Sequence, residues 1–203
     1  MRIITVAHQK GGVGKSTLVL NLAYCLAESR RVAVVDTDPQ GSINDLAVGN
    51  MVQTIDLVDP GLVMAQKLTG YDFVVIDTPP YLTSQLAKLF ALSDYVLIPT
   101  KTGIMDVMAI RRTIELLQSV MDQQPRLKAG IVLSMVNPLR NSLTAEVKEA
   151  LEAYALPLLP TMIHQRVSFA RSPMTAGVVS GSDEKAIQEV INLTSDILTQ
   201  LMQ

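Results

Sequence analysis

The chain has one cysteine, Cys25, in 203 residues. That scarcity excludes an internal disulfide and any metal cluster built on several thiolates. Cys25 lies in an apolar stretch with helical spacing, the setting of a small buried side chain. No apolar run reaches the roughly 18 residues of a membrane span. No charged-then-apolar leader with a cleavage site is visible, because residues 2–7 run directly into a glycine-rich turn, and a cytoplasmic protein is expected. An excess of one charge is also lacking: 17 Lys and Arg stand against 19 Asp and Glu, a net of −2. The whole molecule therefore has no field that recruits nucleic acid or an anionic membrane, and binding of either must come from a local patch. Internal repeats, low-complexity tracts and linkers are absent too.

What is present is the composition of a packed globular protein, 48% hydrophobic and 18% charged, and residues 1–203 read as a single domain. Short β-branched runs alternate with longer helical periods. Ile3-Ile4-Thr5-Val6-Ala7, Val32-Ala33-Val34-Val35, Phe73-Val74-Val75-Ile76, Tyr95-Val96-Leu97-Ile98 and Ile131-Val132-Leu133 are almost wholly apolar. Strands buried on both faces have this character. Helices are predicted from Lys15 to about Ser29 and over 82–92, 104–121, 142–154 and 184–202, with 41–70 the least regular stretch. The expected fold is a three-layer α/β domain, a mostly parallel sheet with helices on both faces. In such sheets ligands bind beyond the carboxyl ends of the strands. Polar residues collect at those ends: 10–17 after the first run, Asp36 and Asp38 after the second, Asp77 after the third, Thr100-Lys101 after the fourth and Asn137 after the fifth.

Lys10-Gly11-Gly12-Val13-Gly14-Lys15-Ser16-Thr17 joins a strand to a helix, the context of a phosphate-binding loop. Glycines let successive backbone N–H groups turn inward onto phosphate oxygens, and the helix N-terminus adds its positive end. Lys15 is placed for the β- and γ-phosphates, Ser16 for Mg²⁺ and Thr17 for the α-phosphate. Two carboxylates, Asp36 and Asp38, close the second run; one can hold the metal's water shell and the other orient an attacking water. Asp77 ends an apolar strand and is placed to bind Mg²⁺ through water. No His or Glu stands nearby as a general base. Phosphoryl transfer rests on positioning and charge neutralisation, so slow Mg-dependent ATP hydrolysis is the expected activity.

The common loop pattern begins with a glycine where this chain has Gln9, and a second lysine, Lys10, precedes Gly11-Gly12. In this the sequence resembles the deviant Walker ATPases of the ParA/MinD family. The likeness continues in Leu97-Ile98-Pro99-Thr100 with Asp106, in Thr78-Pro79-Pro80 and in Thr161-Met162-Ile163-His164-Gln165-Arg166-Val167, which are similar to the small plasmid-type ParA proteins. The resemblance implies that Lys10 reaches the partner's phosphates in an ATP-sandwiched homodimer, that Asp38 serves hydrolysis, and that Asp36 sits nearer the metal. It implies an adenine site at Asn137, Pro138, Ile163, His164 and Gln165; the alternative for Asn137 is a turn or helix cap. Family branches differ in what the dimer touches. Cysteines for an iron–sulfur cluster and a tyrosine cluster are both missing, and the last helix has Lys185 as its sole cation. Packing on the core is expected of that helix rather than stable membrane association. A metabolic ligase of the same superfamily is disfavoured by Lys10.

Residues 126–171 carry six Lys/Arg against three Glu, while the rest of the chain is net negative. Phosphate contacts dominate non-specific DNA affinity. Arg166, Arg171 and then Arg140 are the expected DNA contacts. The implied function is a ParA-type partition ATPase. ATP drives dimerisation and binding to non-specific double-stranded DNA on the nucleoid, and a ParB-like adaptor or centromere-binding protein stimulates hydrolysis and release. The alternative is a MinD-like ATPase that positions a protein assembly, or acts at a membrane, without DNA.

Overall fold

The computed structural model describes residues 1–38, 43, 52–56, 68, 70–81, 85–139 and 141–203. Arg140 and residues 82–84 of the expected second helix lie outside the described residues. In chain order the elements are β1 (Arg2–Val6), α1 (Lys15–Ala27), β2 (Val32–Asp36), β3 (Val52–Asp56), β4 (Phe73–Asp77), α2 (Leu86–Leu92), β5 (Tyr95–Thr100), α3 (Ile104–Met121), β6 (Lys128–Val136), α4 (Asn141–Glu152), β7 (Leu158–His164), α5 (Val167–Arg171) and α6 (Glu184–Met202). Two short 3-10 turns, Ser172–Met174 and Val178–Ser180, precede α6.

The described strands form one sheet in the order β3-β2-β4-β1-β5-β6-β7, and every pairing is parallel. Alternation along the apolar strands sends side chains into two cores. Ala33, Val35, Val74, Ile76, Val96 and Ile98 face α2, α3 and α4, while Val34, Val75, Tyr95 and Leu97 face α1 and α6. The three-layer expectation holds, and the two strands not recognised in the sequence lie at the sheet edges. α6 packs through Ala186, Val190, Leu193, Thr194 and Ile197, as expected for a core helix. It also covers the β7 edge: Thr161 N–H donates to Asp196 at 3.3 Å and His164 N–H to Glu189 at 3.0 Å, which satisfies groups that an open edge would leave exposed.

Because all strands run the same way, the segments after β1, β2, β4 and β5 emerge along one edge. Val6 pairs with Asp77 and Asp36 with Asp77, so the loop and both strand-end carboxylates are held in fixed register. Asn21 locks α1 to the segment before α6. It is fully buried; its Nδ2 donates to the Thr17 carbonyl (2.7 Å) and to Ser172 Oγ (2.8 Å), and its Oδ1 accepts from Val178 N–H (2.8 Å). Asn21→Leu strands these buried partners and is expected to lower unfolding free energy by about 2–4 kcal/mol. Chemical denaturation measures it, and a loss under about 1 kcal/mol would mean that the network does not hold the two segments together.

Candidate phosphate- and metal-binding site

The loop after β1 takes its shape from two left-handed glycines, Gly12 (φ 69°) and Gly14 (φ 89°). A side chain at Gly14 would also press on Ser134 Oγ, 3.1 Å from the Cβ position. Gly14 is the N-cap of α1 and provides no side-chain cap, and the first turn holds no acidic residue. An anion is the natural complement of such a helix end. Lys15 is buried, and its ammonium reaches back across the loop to the Lys10 carbonyl at 3.4 Å. Burial lowers its pKa, and the charges of Asp77 and Asp38 oppose that shift.

Asp36 and Asp77 lie side by side on β2 and β4, both buried. Ser16 Oγ donates to Asp77 Oδ2 at 2.5 Å. Asp77 is pushed up to about 7, chiefly by burial with Asp36 adding to it, while Ser16, Lys15 and the Thr78 N–H pull it back. Asp36 has a second task that the sequence did not reveal. Its Oδ1 accepts Asp38 N–H at 2.9 Å and its Oδ2 accepts Ile43 N–H at 3.0 Å, so it anchors the backbone at Asp38 and at Ile43. Hydroxyl and carboxylate oxygens suit Mg²⁺, which is commonly held by one or two carboxylates together with substrate phosphates. Among the described residues no group of three or more His, Cys, Asp or Glu could hold a metal alone. The residues present fit a magnesium ion whose shell phosphate completes: Ser16 and Asp77 would hold it, and its charge would neutralise phosphate oxygens during transfer.

Lys10 is half exposed and pairs with Asp106 Oδ1 at 2.6 Å, where α3 begins. Its N–H donates to Nδ1 of the buried His8 at 2.8 Å. Burial, with Lys15 and Lys10 adding to it, holds His8 down to about 4. The imidazole is therefore neutral at physiological pH with Nδ1 as acceptor, a support for the loop that sequence reading missed. Asp106 entered the sequence reading only as part of a resemblance, without a partner.

Beside the loop is a cavity of about 300 Å³ lined by Gly14, Thr17, Leu18, Ser134, Met135, Phe169, Ala170 and residues 163–167. Its walls bring Ile163, His164 and Gln165, three of the residues expected at an adenine site, to the phosphate loop. Asn137 and Pro138 are not among the lining residues. Asn137 Oδ1 instead accepts Leu139 N–H at 2.9 Å, the turn-capping alternative. Met135 was not anticipated. It takes a left-handed backbone (φ 54°) where the β6–β7 register shifts, and that irregularity turns it to the cavity. Arg166 donates to Glu189 at 2.7 and 3.2 Å, and His164 Nδ1 lies 2.9 Å from the same oxygen. The Arg166 charge is thus compensated within the fold, whereas Arg171 is exposed.

Residues 4–178 match the family described as the CobQ/CobB/MinD/ParA nucleotide binding domain. The chain belongs to that family. Among curated relatives it is 29% identical to maintenance of carboxysome distribution protein A of Halothiobacillus neapolitanus, over 96% of this chain and 95% of that protein. It is 31% identical to the protein of the same name from Gloeobacter kilaueensis, over 85% of this chain and 81% of that one. Among solved structures, a putative plasmid partition protein of Borrelia burgdorferi bound to AMPPNP superposes with a TM-score of 0.77 at 21% identity, covering 98% of this chain and 99% of the other. The last comparison establishes the shared fold, the α/β P-loop fold of ParA and MinD proteins.

In this ParA/MinD-family chain, the raised pKa of Asp77 means that the folded state holds its proton more tightly than the unfolded chain does. Stability is therefore lost as pH rises from the ordinary carboxylate range towards about 7, and the whole cost is present above it. Asp77→Asn should raise the thermal midpoint of the nucleotide- and metal-free protein by about 2–4 °C at pH ~8, with little gain near pH ~5. Magnesium-dependent nucleotide binding should fall in the same variant. A midpoint gain that is equal at both pH values, or a lowered midpoint, contradicts this reading of Asp77.

Proposed function

We propose that this protein is a ParA-type partitioning ATPase. Mg-ATP binding closes two copies on each other, the dimer binds DNA without sequence preference, and partner-stimulated hydrolysis to ADP releases it. The observation that carries the reading is the loop itself: an uncapped helix end, a buried Lys15, the Ser16–Asp77 pair, and a second lysine, Lys10, at the loop's outer rim. Membership of a nucleotide-binding family and the likeness to an AMPPNP-bound partition protein support the nucleotide.

Asp38, anchored through Asp36, orients the attacking water, and Lys15 with the metal neutralises the developing charge. Lys10 leaves Asp106 to reach the phosphates of the second copy. DNA contact falls to exposed cations with no carboxylate partner among the described residues. This places Arg171 ahead of Arg166, and Arg140 keeps its proposed supporting part. Among the described residues no helix is long and apolar enough to cross a membrane. A second reading concerns the cargo. The two carboxysome-distribution relatives favour a protein assembly over a plasmid or chromosome, moved by an ATPase of the same design.

Co-sedimentation with non-specific double-stranded DNA under ATP, ADP or no nucleotide tests the DNA step. Binding is expected with ATP alone, weakened by salt, lost in Lys15→Ala and reduced about 3- to 10-fold in Arg171→Ala. Equal binding under all three conditions, or none with ATP, overturns the DNA step. The second outcome leaves a positioning ATPase that acts without DNA.

A further inference from the structure

A third lysine stands at the phosphate loop. Lys101 directly follows β5, the neighbour of β1 in the sheet, so the strand pairing that places the loop also places Lys101 beside it. Its Nζ lies 3.9 Å from the position that a Cβ on Gly12 would occupy. Lys101 is half-buried, and among the described residues its ammonium has no hydrogen-bond acceptor and no carboxylate partner. The other two lysines are engaged, Lys10 by Asp106 at 2.6 Å and Lys15 by the Lys10 carbonyl at 3.4 Å. A half-buried ammonium with no counter-charge is an arrangement that a bound anion stabilises.

The direction of the loop says which anion. The cavity suited to a base touches the loop at Gly14 and Thr17. Gly11 and Gly12 do not line it; they turn towards Pro80 and Lys101 at the loop's other end. A nucleotide with its base in that cavity extends its phosphate chain over Thr17 and the Ser16–Asp77 pair towards Gly12, so the outermost phosphate arrives nearest Lys101. We infer that Lys101 binds the terminal phosphate of the nucleotide and makes a single chain prefer the triphosphate to the diphosphate. The inference rests on the nucleotide-binding reading above. It assigns the first recognition of that phosphate to a cation already in place, before Lys10 has left Asp106.

Titration of fluorescent ADP and of a fluorescent non-hydrolysable ATP analogue, both with Mg²⁺, tests this in the full chain. The variants are Lys101→Ala, Lys101→Arg, Lys15→Ala and, as a control at an exposed lysine of α2, Lys88→Ala. Lys101→Ala is expected to weaken the triphosphate about 10-fold and ADP less than about 2-fold, and Lys101→Arg to stay within about 3-fold of the parent for both. An unchanged thermal midpoint for Lys101→Ala separates this from a folding defect. Equal losses for the two nucleotides, or no loss for the triphosphate, overturn the role of Lys101 while leaving nucleotide binding intact. If the parent chain binds neither nucleotide, or Lys15→Ala binds both as well as the parent, the nucleotide reading fails and the inference with it.

Discussion

At the carboxyl edge of the sheet, Asp77 is buried beside Asp36, with Ser16 donating to it and Lys15 close enough to shift it. The pair of carboxylates is held together by strand register and cannot relax apart. With the protein's own groups alone, Asp77 sits near the midpoint of its titration at neutral pH. A divalent cation turns this unfavourable pair into an asset, because it supplies the charge that burial and Asp36 withhold. A carboxylate suited to a divalent cation is thus held at the expense of the free protein's stability, a trade-off common at functional sites.

The phosphate loop has the same incompleteness with the opposite sign. α1 starts without a capping side chain, and three lysines converge on the turn before it. Excess cation at the loop and excess anion at Asp36 and Asp77 are adjacent, and Mg-nucleotide is complementary to both. His8 and Asp106 hold the loop from below and from the rim. The Asn21 network ties α1 to the segment before α6, near the wall of the cavity beside the loop.

The parts legible in the sequence were those written in contiguous residues. β1, β2, β4 and β5 are buried on both faces, so each reads as an uninterrupted apolar run. The loop's chemistry also lies within eight consecutive positions, 10–17. The edge strands were not legible as strands. Val52-Gln53-Thr54-Ile55-Asp56 is short and mixed in polarity, and β7 carries Pro160, which an edge tolerates and a central strand does not. The cavity beside the loop was half legible. Ile163, His164 and Gln165 came through family likeness, but Met135 reaches the wall because of a register shift, which no local pattern encodes. Arg166 read as a free cation because its partner, Glu189, is 23 residues away on a helix that folds back over β7. Lys101 was visible only as a polar residue at a strand end, since its distance from Gly12 depends on the pairing of β1 with β5.

The central claim is that this loop couples nucleotide to self-association through Lys10. Sedimentation velocity of an Asp38→Ala protein, expected to hydrolyse ATP more slowly than the parent, with Mg-ATP, Mg-ADP and no nucleotide tests it most directly, with Asp38→Ala/Lys10→Ala run alongside. The account predicts a dimer with Mg-ATP alone, and a double variant that still binds ATP yet remains a monomer. A dimer formed regardless of nucleotide, or formed equally well without the Lys10 ammonium, would contradict it.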